Sequence, residues 1–277
     1  MPVNERQLRA FADTHAWRIP FDTSPRHLAG PGDARHVTHG LAAVGWTRTS
    51  DPLSAEILLT SPDHRYTLQF DPQSSTSAWW RLRAQGSDTA QHWYCEFGQL
   101  VPAEVLSSVT DTLVAPPASK PADEPADPWE AAASGGWLRD VDGTAHSPDG
   151  MGHIELRHLD SKVTESWHID VCEPGYGDPW GPRIWHARFD SHTPSHLVTA
   201  FITALVDPAP LQRGFFDATA HYSAVQERSQ LRPQQVVDAH ADRLASLGTR
   251  ARTARRREQP ATTSVSAPAT ATAPIRR

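Results

Sequence analysis

Along the chain, hydrophobic spacing passes from helical to strand-like and back, and then does so a second time in the same order. From Asn4 to about Trp17 the spacing predicts a short helix with Leu8, Phe11 and Ala12 on one face. Turn chemistry fills Leu28-Ala29-Gly30-Pro31-Gly32-Asp33. Asp33 is suited to cap a helix over about 34–44, with Val37, Leu41 and Val44 on one stripe and Gly45 ending it. Strands follow. Ala55–Thr60 carries Ile57, Leu58 and Leu59, and Ser61-Pro62-Asp63-His64 reads as a turn with proline at its second position. Tyr66, Leu68 and Phe70 alternate inward, as do Trp80, Leu82 and Ala84, and then Trp93, Cys95 and Phe97. Pro102 opens a helix with an apolar stripe of Val105, Leu106, Val109 and Leu113, stopped before Pro116.

The pattern then restarts. Gly136-Trp137 repeats Gly45-Trp46, and Ser147-Pro148-Asp149-Gly150 repeats the turn. Ile154 and Leu156 alternate, then Trp167, Ile169 and Val171, then Trp185, Ala187 and Phe189. Pro194 opens a closing helix with Leu197, Val198, Phe201 and Leu205. Trp93–Pro116 and Trp185–Pro208 align without a gap, sharing Trp, Phe, Pro, Leu, Val and Pro as identities. Composition would give roughly one or two such matches, so duplication is the better account.

These elements predict an α+β protein made of two tandem copies of an antiparallel sheet unit flanked by helices. The expected partition is an N-terminal helix over 1–23, a first copy over 24–117, a Pro/Ala/Asp linker over 118–127 and a second copy over 128–212. A helical region over 213–248 follows, with helices expected at Phe215–Gln230 and Gln234–Leu247, and then a disordered basic tail over 249–277.

Composition narrows the function. The net charge of −6 conceals an asymmetry: from Arg243 onward, eight arginines face the single acid Glu258, about +7, which leaves about −13 for the rest. An acidic body is not a nucleic-acid-binding core, so any such contact is expected in the tail. Lys120 and Lys162 are the only lysines, a bias that points to a high-GC genome rather than to a mechanism. Cys95 and Cys172 fall at different places in the two copies and read as reduced, semi-buried thiols. No apolar run reaches bilayer length and Met1–Arg6 lacks an apolar signal core, so a cytoplasmic protein is expected.

Gly45-Trp46, Ser61-Pro62-Asp63, Trp79-Trp80, Trp93 with Phe97, and the Pro102 helix together resemble the actinobacterial SPDY domain, a family of unknown function. The second copy supplies Gly136-Trp137, Ser147-Pro148-Asp149, Trp167, Trp185 with Phe189, and Pro194. The lead-in Ser24-Pro25-Arg26-His27-Leu28-Ala29-Gly30 is similar to that of tandem members, so the likeness spans about 24–212. Where the family has tyrosine at the fourth motif position, this chain has His64 and Gly150. A chemical role for that tyrosine would be lost in both copies, whereas a hairpin turn accepts glycine easily, and the turn is the stronger reading. The resemblance implies a tandem architecture and brings no catalytic residues.

Candidate chemistry lies outside the core tryptophans. The outward strand face of the first copy holds Thr67, Gln69, Trp79, Arg81, Arg83, Tyr94 and Glu96, with Trp79 and Arg81 the binding candidates. That of the second holds His153, Glu155, Arg157, His168, Asp170, His186 and Arg188. His153, His168 and His186 are weak candidates for a metal or for acid/base work, with no HExxH or CxxC spacing behind them; a solvated face, or one covered by the partner copy, is the stronger reading. The loop Glu173–Pro182 reads as a plain connecting loop or, with Tyr176, Asp178 and Trp180 as contacts, as a proline-stiffened recognition segment, the plain loop being the stronger reading. Arg250, Arg252, Arg255, Arg256 and Arg257 could meet phosphates. The combined reading is a non-catalytic interaction module that needs no cofactor and has another protein as its expected partner. The alternatives are nucleic-acid association through the basic tail and a metal-dependent enzyme using the histidine face.

Overall fold

The computed structural model describes residues 3–88, 90–115, 127–159, 164–175, 181–215, 217 and 219–258. The class is α+β, as the periodicity predicts. The first copy runs α2 (Arg35–Ala43), β2 (Thr47–Arg48), β3 (Ile57–Thr60), β4 (Tyr66–Phe70), β5 (Ala78–Ala84), β6 (Trp93–Gly98) and α3 (Ala103–Val114). The second repeats that order as α4 (Pro128–Ser134), β7 (Leu138–Arg139), β8 (Ala145–His146), β9 (Gly152–Leu159), β10 (Thr164–Cys172), β11 (Arg183–Phe189) and α5 (Ser195–Val206). The copies share one antiparallel sheet of ten strands, in the order β2-β3-β4-β5-β6-β11-β10-β9-β8-β7.

The join is the β6–β11 pair, in which Phe97 faces Ala187, Glu96 faces Arg188 and Cys95 faces Phe189. Residue 188 is the counterpart of residue 96 at the repeat offset of 92, so a pseudo-twofold axis passes through this pair. The helices obey the same axis: α3 packs on α5, and Ser108 Oγ donates to the carbonyl of its own counterpart, Ala200. Beneath the join, the rings of Phe97, Phe189 and Phe201 meet with centroids about 5.5 Å apart. Five of the six repeated tryptophans, Trp46, Trp80, Trp93, Trp137 and Trp185, are buried on the helix-covered side. Trp167 is half-buried against Trp129.

The Ser-Pro-Asp motif is the hairpin turn between paired strands in both copies. Ser61 Oγ donates to Asp63 Oδ1 and accepts from the Tyr66 amide; Ser147 Oγ does the same with Asp149 and the Gly152 amide. The fourth residue takes the left-handed region, φ 59° at His64 and 73° at Gly150, which is why glycine serves there as well as a larger residue. At the sixth position the copies differ. Tyr66 stacks on Trp46, whereas a Cβ at Gly152 would collide with the Trp137 ring.

The ends of the chain depart from the sequence pattern. Helix α1 (Glu5–Ala16) forms as expected, under an Asn4–Gln7 capping box. The helix expected at Phe215–Gln230 does not form. Instead β12 (Leu211–Gly214) and β13 (Val225–Arg228) flank β1 (Pro20–Ser24) in a three-stranded antiparallel sheet. Phe215 and Tyr222 are exposed and β13 is exposed throughout, so no apolar stripe supports a helix and backbone pairing with β1 decides the structure. Helix α6 (Pro233–Glu258) starts at Pro233 rather than after it and runs past the expected boundary at 248, so residues 249–258, expected as disordered tail, are helical. Residues 259–277 and 116–126, the latter taking in all of the expected linker 118–127 except Asp127, lie outside the described residues.

Two ion pairs fasten these end elements. Arg213 of β12 is 3% exposed; it grips Glu104 of α3 with both Nη atoms and donates to the carbonyls of Ala29 and Gly30. Arg243 of α6 makes a two-pronged pair with Asp111 of α3 and caps the His36 carbonyl. Between α1, α2 and α6 lies a cluster unusually rich in histidine. Phe11 stacks on His240 at 3.9 Å, His39 Nδ1 lies 3.2 Å from His240 Nε2, and His36 and His15 complete the ring of imidazoles. Burial lowers all three enclosed histidines, His39 to about 4 and His240 to about 3. Burial alone would raise the Asp33 carboxyl, but hydrogen bonds from His15 and Arg35 hold it well below the usual range.

Gly152→Ala is expected to cost about 1–3 kcal/mol in urea unfolding through overpacking against Trp137, and an unchanged midpoint would refute the close fit. The histidines set a pH dependence with a definite sign. A histidine depressed in the folded state leaves stability intact above its unfolded pKa of about 6.5 and removes it as pH falls toward 4. His240→Phe should therefore flatten the acid limb by about 1.4 kcal/mol per pH unit, one proton fewer, between pH 6 and 4.5. An unchanged slope would show that His240 does not carry it.

Candidate functional site

Helices cover one face of the ten-stranded sheet, and strand alternation puts the candidate polar side chains on the other. Their rows follow from the register. Gln69, Arg81, Glu96, Arg188, His168 and Glu155 lie side by side across six strands and through the pseudo-twofold axis. The next row sets His186, Asp170, His153 and His146 in line.

Charge is arranged in alternation. Arg188 chelates Asp170 with two bonds of 2.8 Å and also donates to the carbonyls of Ile169 and Ala187. Arg183 approaches the same carboxylate at 3.7 Å. His186 Nε2 stands 3.6 Å from Glu96 and holds that carboxyl below its ordinary range. His153 Nδ1 meets His146 Nδ1 at 2.9 Å, and His146 reaches Asp140. Burial first, then a neighbouring cation or imidazole, pushes His153 and His168 down to about 4, so both are neutral at pH 7.

The structure separates the sequence candidates. His153 and His186 flank Asp170 from opposite strands, while His168 stands in the adjacent row across from Arg188 and donates to or accepts from Ser166. Asp170, the carboxylate a cation would need, is already engaged by Arg188. Among the described residues no group of three or more His, Cys, Asp or Glu side chains is arranged to hold a metal. The outward face is unevenly exposed: His153 is 6% exposed and His186 3% in the second copy, against 50% for Tyr94 in the first. Alternation assigns a side chain to a face but not what else packs there.

In the first copy, Arg81 lies at the centre of the face, opposite Glu96, and donates to Thr76. Trp79 sits at a bulge between Ala78 and Trp80 and is half-buried, its ring edge on Phe70 at 6.3 Å; it is part of the packing rather than an open stacking platform. Tyr176, Asp178 and Trp180 lie outside the described residues. The basic cluster is helical: Arg250, Arg252 and Arg256 are exposed on α6, Arg255 donates to the Val44 carbonyl, and the Arg257 side chain lies outside the described set. Both cysteines are free and buried, and burial raises the Cys95 thiol. No described helix is long and apolar enough to cross a membrane.

One residue that sequence reasoning did not single out ties the lead-in to the second copy. His27 of the lead-in is buried, donates from Nε2 to Asp149 Oδ2 at 2.8 Å, and accepts at its carbonyl from Trp185 Nε1. Its only sequence signal was its place in the family-like lead-in.

The Arg188–Asp170 chelate is open to a direct check. Arg188→Met leaves a largely buried carboxylate with a single distant cation and should cost about 2–3 kcal/mol of stability. It should also raise the His168 pKa from about 4, measured by NMR, because the Arg188 charge is the largest electrostatic cause of its depression after burial. An unmoved His168 would show that the row is not electrically coupled.

Comparison with known proteins agrees with the duplication. The model of the SPDY domain of unknown function (DUF317) matches twice, over residues 60–119 and 146–211. The matches take in the Ser-Pro-Asp turns, the central strands and α3 and α5, and leave out α2, α4 and the lead-in. Searches of curated proteins and of solved structures gave no match. With the motif twice at corresponding turns and the two copies sharing one sheet, the chain is a tandem SPDY-type domain protein.

Proposed function

We propose that this chain is a non-catalytic interaction module, and that the outward sheet face around the Glu96–Arg188 axis is where it meets a protein partner. The observation that supports the reading is the uneven covering of the ten-stranded sheet. Helices occupy one face, while the other carries Arg83 and Tyr94 exposed beside a row of alternating charges at Arg81, Glu96 and Arg188. An exposed tyrosine and arginine next to pre-paired charges suit recognition, since the side chains are ordered before binding and the pattern rejects partners of the wrong charge. Charges already paired, and imidazoles whose pKa is pushed down to about 4 and which are therefore weak bases, favour binding over catalysis. A location in the cytoplasm and a protein partner belong to this proposal.

A second reading, association with nucleic acid, draws on Arg250, Arg252 and Arg256, which stand exposed on a formed helix. Because Arg255 is held at the Val44 carbonyl, three of the four described arginines are available for it, and the protein-partner reading is preferred.

One experiment separates these readings. The full chain and an Arg83→Glu/Tyr94→Ala variant are used as baits in lysate of the native cell, and duplex DNA binding is measured alongside across a salt series. Both substitutions lie at exposed positions, so circular dichroism should be unchanged. Loss of a specific partner by the variant is the expected result. Partners retained by the variant overturn the assignment of the face. DNA binding that falls steeply with salt and disappears in an Arg250→Ala/Arg252→Ala/Arg256→Ala variant would establish the second reading instead.

A further inference from the structure

The two copies carry equivalent grooves, and only one of them is filled by the lead-in. In the second copy the groove lies between Trp137, the Ser147-Pro148-Asp149 turn and the end of α5. Residues Arg26-His27-Leu28, a single 3-10 turn, occupy it. His27 stands edge-on to the Trp137 ring at 5.8 Å and places Nε2 2.8 Å from Asp149 Oδ2. Arg26 seals the α5 end by donating to the carbonyls of Ala204 and Ala209 and pairing with Asp207. The occupant is thus a short segment read by one carboxylate, one indole and the free carbonyls of a helix end.

In the first copy the counterparts are Trp46, the Ser61-Pro62-Asp63 turn and the end of α3 at Leu113 and Val114. With Tyr66 and one side of α6 they line an open groove of about 350 Å³. Helix α6 lies along this groove where the lead-in lies along the other, but the side chains it brings are Ala251 and Ala254, with Arg255 turned to the Val44 carbonyl. The two carboxylates are held alike on one side: Oδ1 of Asp63 takes Ser61 Oγ and the Arg65 amide, as Oδ1 of Asp149 takes Ser147 Oγ and the Met151 amide. They differ on the other. Asp149 Oδ2 has His27, whereas Asp63 Oδ2 has no hydrogen bond from any described residue.

We infer that the first-copy groove binds a short turn-forming peptide of a partner protein that offers a histidine side chain to Asp63 over the Trp46 and Tyr66 rings. The charge of Asp63 and the occupant seen in the sister groove specify that chemistry. The groove is on the helix-covered side of the sheet, so the inference stands or falls separately from the outward face.

The test titrates the full chain with a synthetic peptide copying residues 22–31, Asp-Thr-Ser-Pro-Arg-His-Leu-Ala-Gly-Pro, and with the same peptide carrying alanine for histidine. Tryptophan fluorescence and NMR follow binding. Saturable binding with Kd below about 1 mM is expected, weakened about tenfold or more by the alanine peptide and by Asp63→Asn, which keeps the Oδ1 acceptor that holds the turn. Ala254→Trp leaves the turn untouched, fills the groove and should abolish binding, so the result does not depend on how Asp63→Asn folds. No saturable binding up to about 1 mM overturns the inference. So does binding indifferent to the histidine, or unaffected by both variants.

Discussion

Three residue pairs between β6 and β11 hold the two copies in one sheet, and the rest of the architecture is arranged about them. An unpaired central strand in each copy would expose a ladder of amides and carbonyls beside a large apolar face. Pairing the strands back to back satisfies both ladders and lets α3 and α5 close over Phe97, Phe189 and Phe201 as one core. The outer strands β2 and β7 then become the edges, and each is two residues long, too short to template another chain. Because counterpart positions meet on the axis, divergence there has a distinct effect. Glutamate in one copy and arginine in the other turn a contact between identical residues into a complementary one.

The motif shared with the family acts through geometry. Serine, proline and aspartate build the hairpin turn from their own hydrogen bonds, and the tolerance for histidine or glycine at the fourth place follows from a positive φ. The same aspartate then has one oxygen to spare. In the second copy that oxygen is used inside the chain, by His27. A turn that began as a local device has thereby become an anchor for a segment more than a hundred residues away.

Much of this was legible in the sequence because local periods carried it. The alternation around Trp80, Trp93 and Trp185 placed those rings inward, the offset of 92 gave the duplication, and the turn reading of Ser-Pro-Asp holds in both copies. What could not be read depends on long-range partners. The strand at Val225–Arg228 has no pattern of its own and exists because β1 offers it a ladder. The burial of His153 and His186 needs neighbours across strands that alternation does not name. The imidazole cluster of His36, His39 and His240 draws on residues about two hundred positions apart. Helix α6 continues past 248 as an arginine-rich surface helix, with its inner side set against α2 near Gly40 rather than marked by a strong apolar stripe.

The sheet built from β12, β1 and β13 also sets an order in time. Strand β1 leaves the ribosome well before either of its partners, which both lie beyond residue 210, and α1 waits for α6. The first copy can lay down β2 to β6 early, but α2 lacks the helix that packs across it and β6 lacks its far neighbour until the second copy follows. Synthesis therefore carries a half-built sheet with an open central edge for the time needed to add roughly another hundred residues, at about 5–20 residues per second. Closure of these elements falls to residues beyond 210, where Arg213 and Arg243 reach back to Glu104 and Asp111 of α3 and fasten β12 and α6 to the first copy.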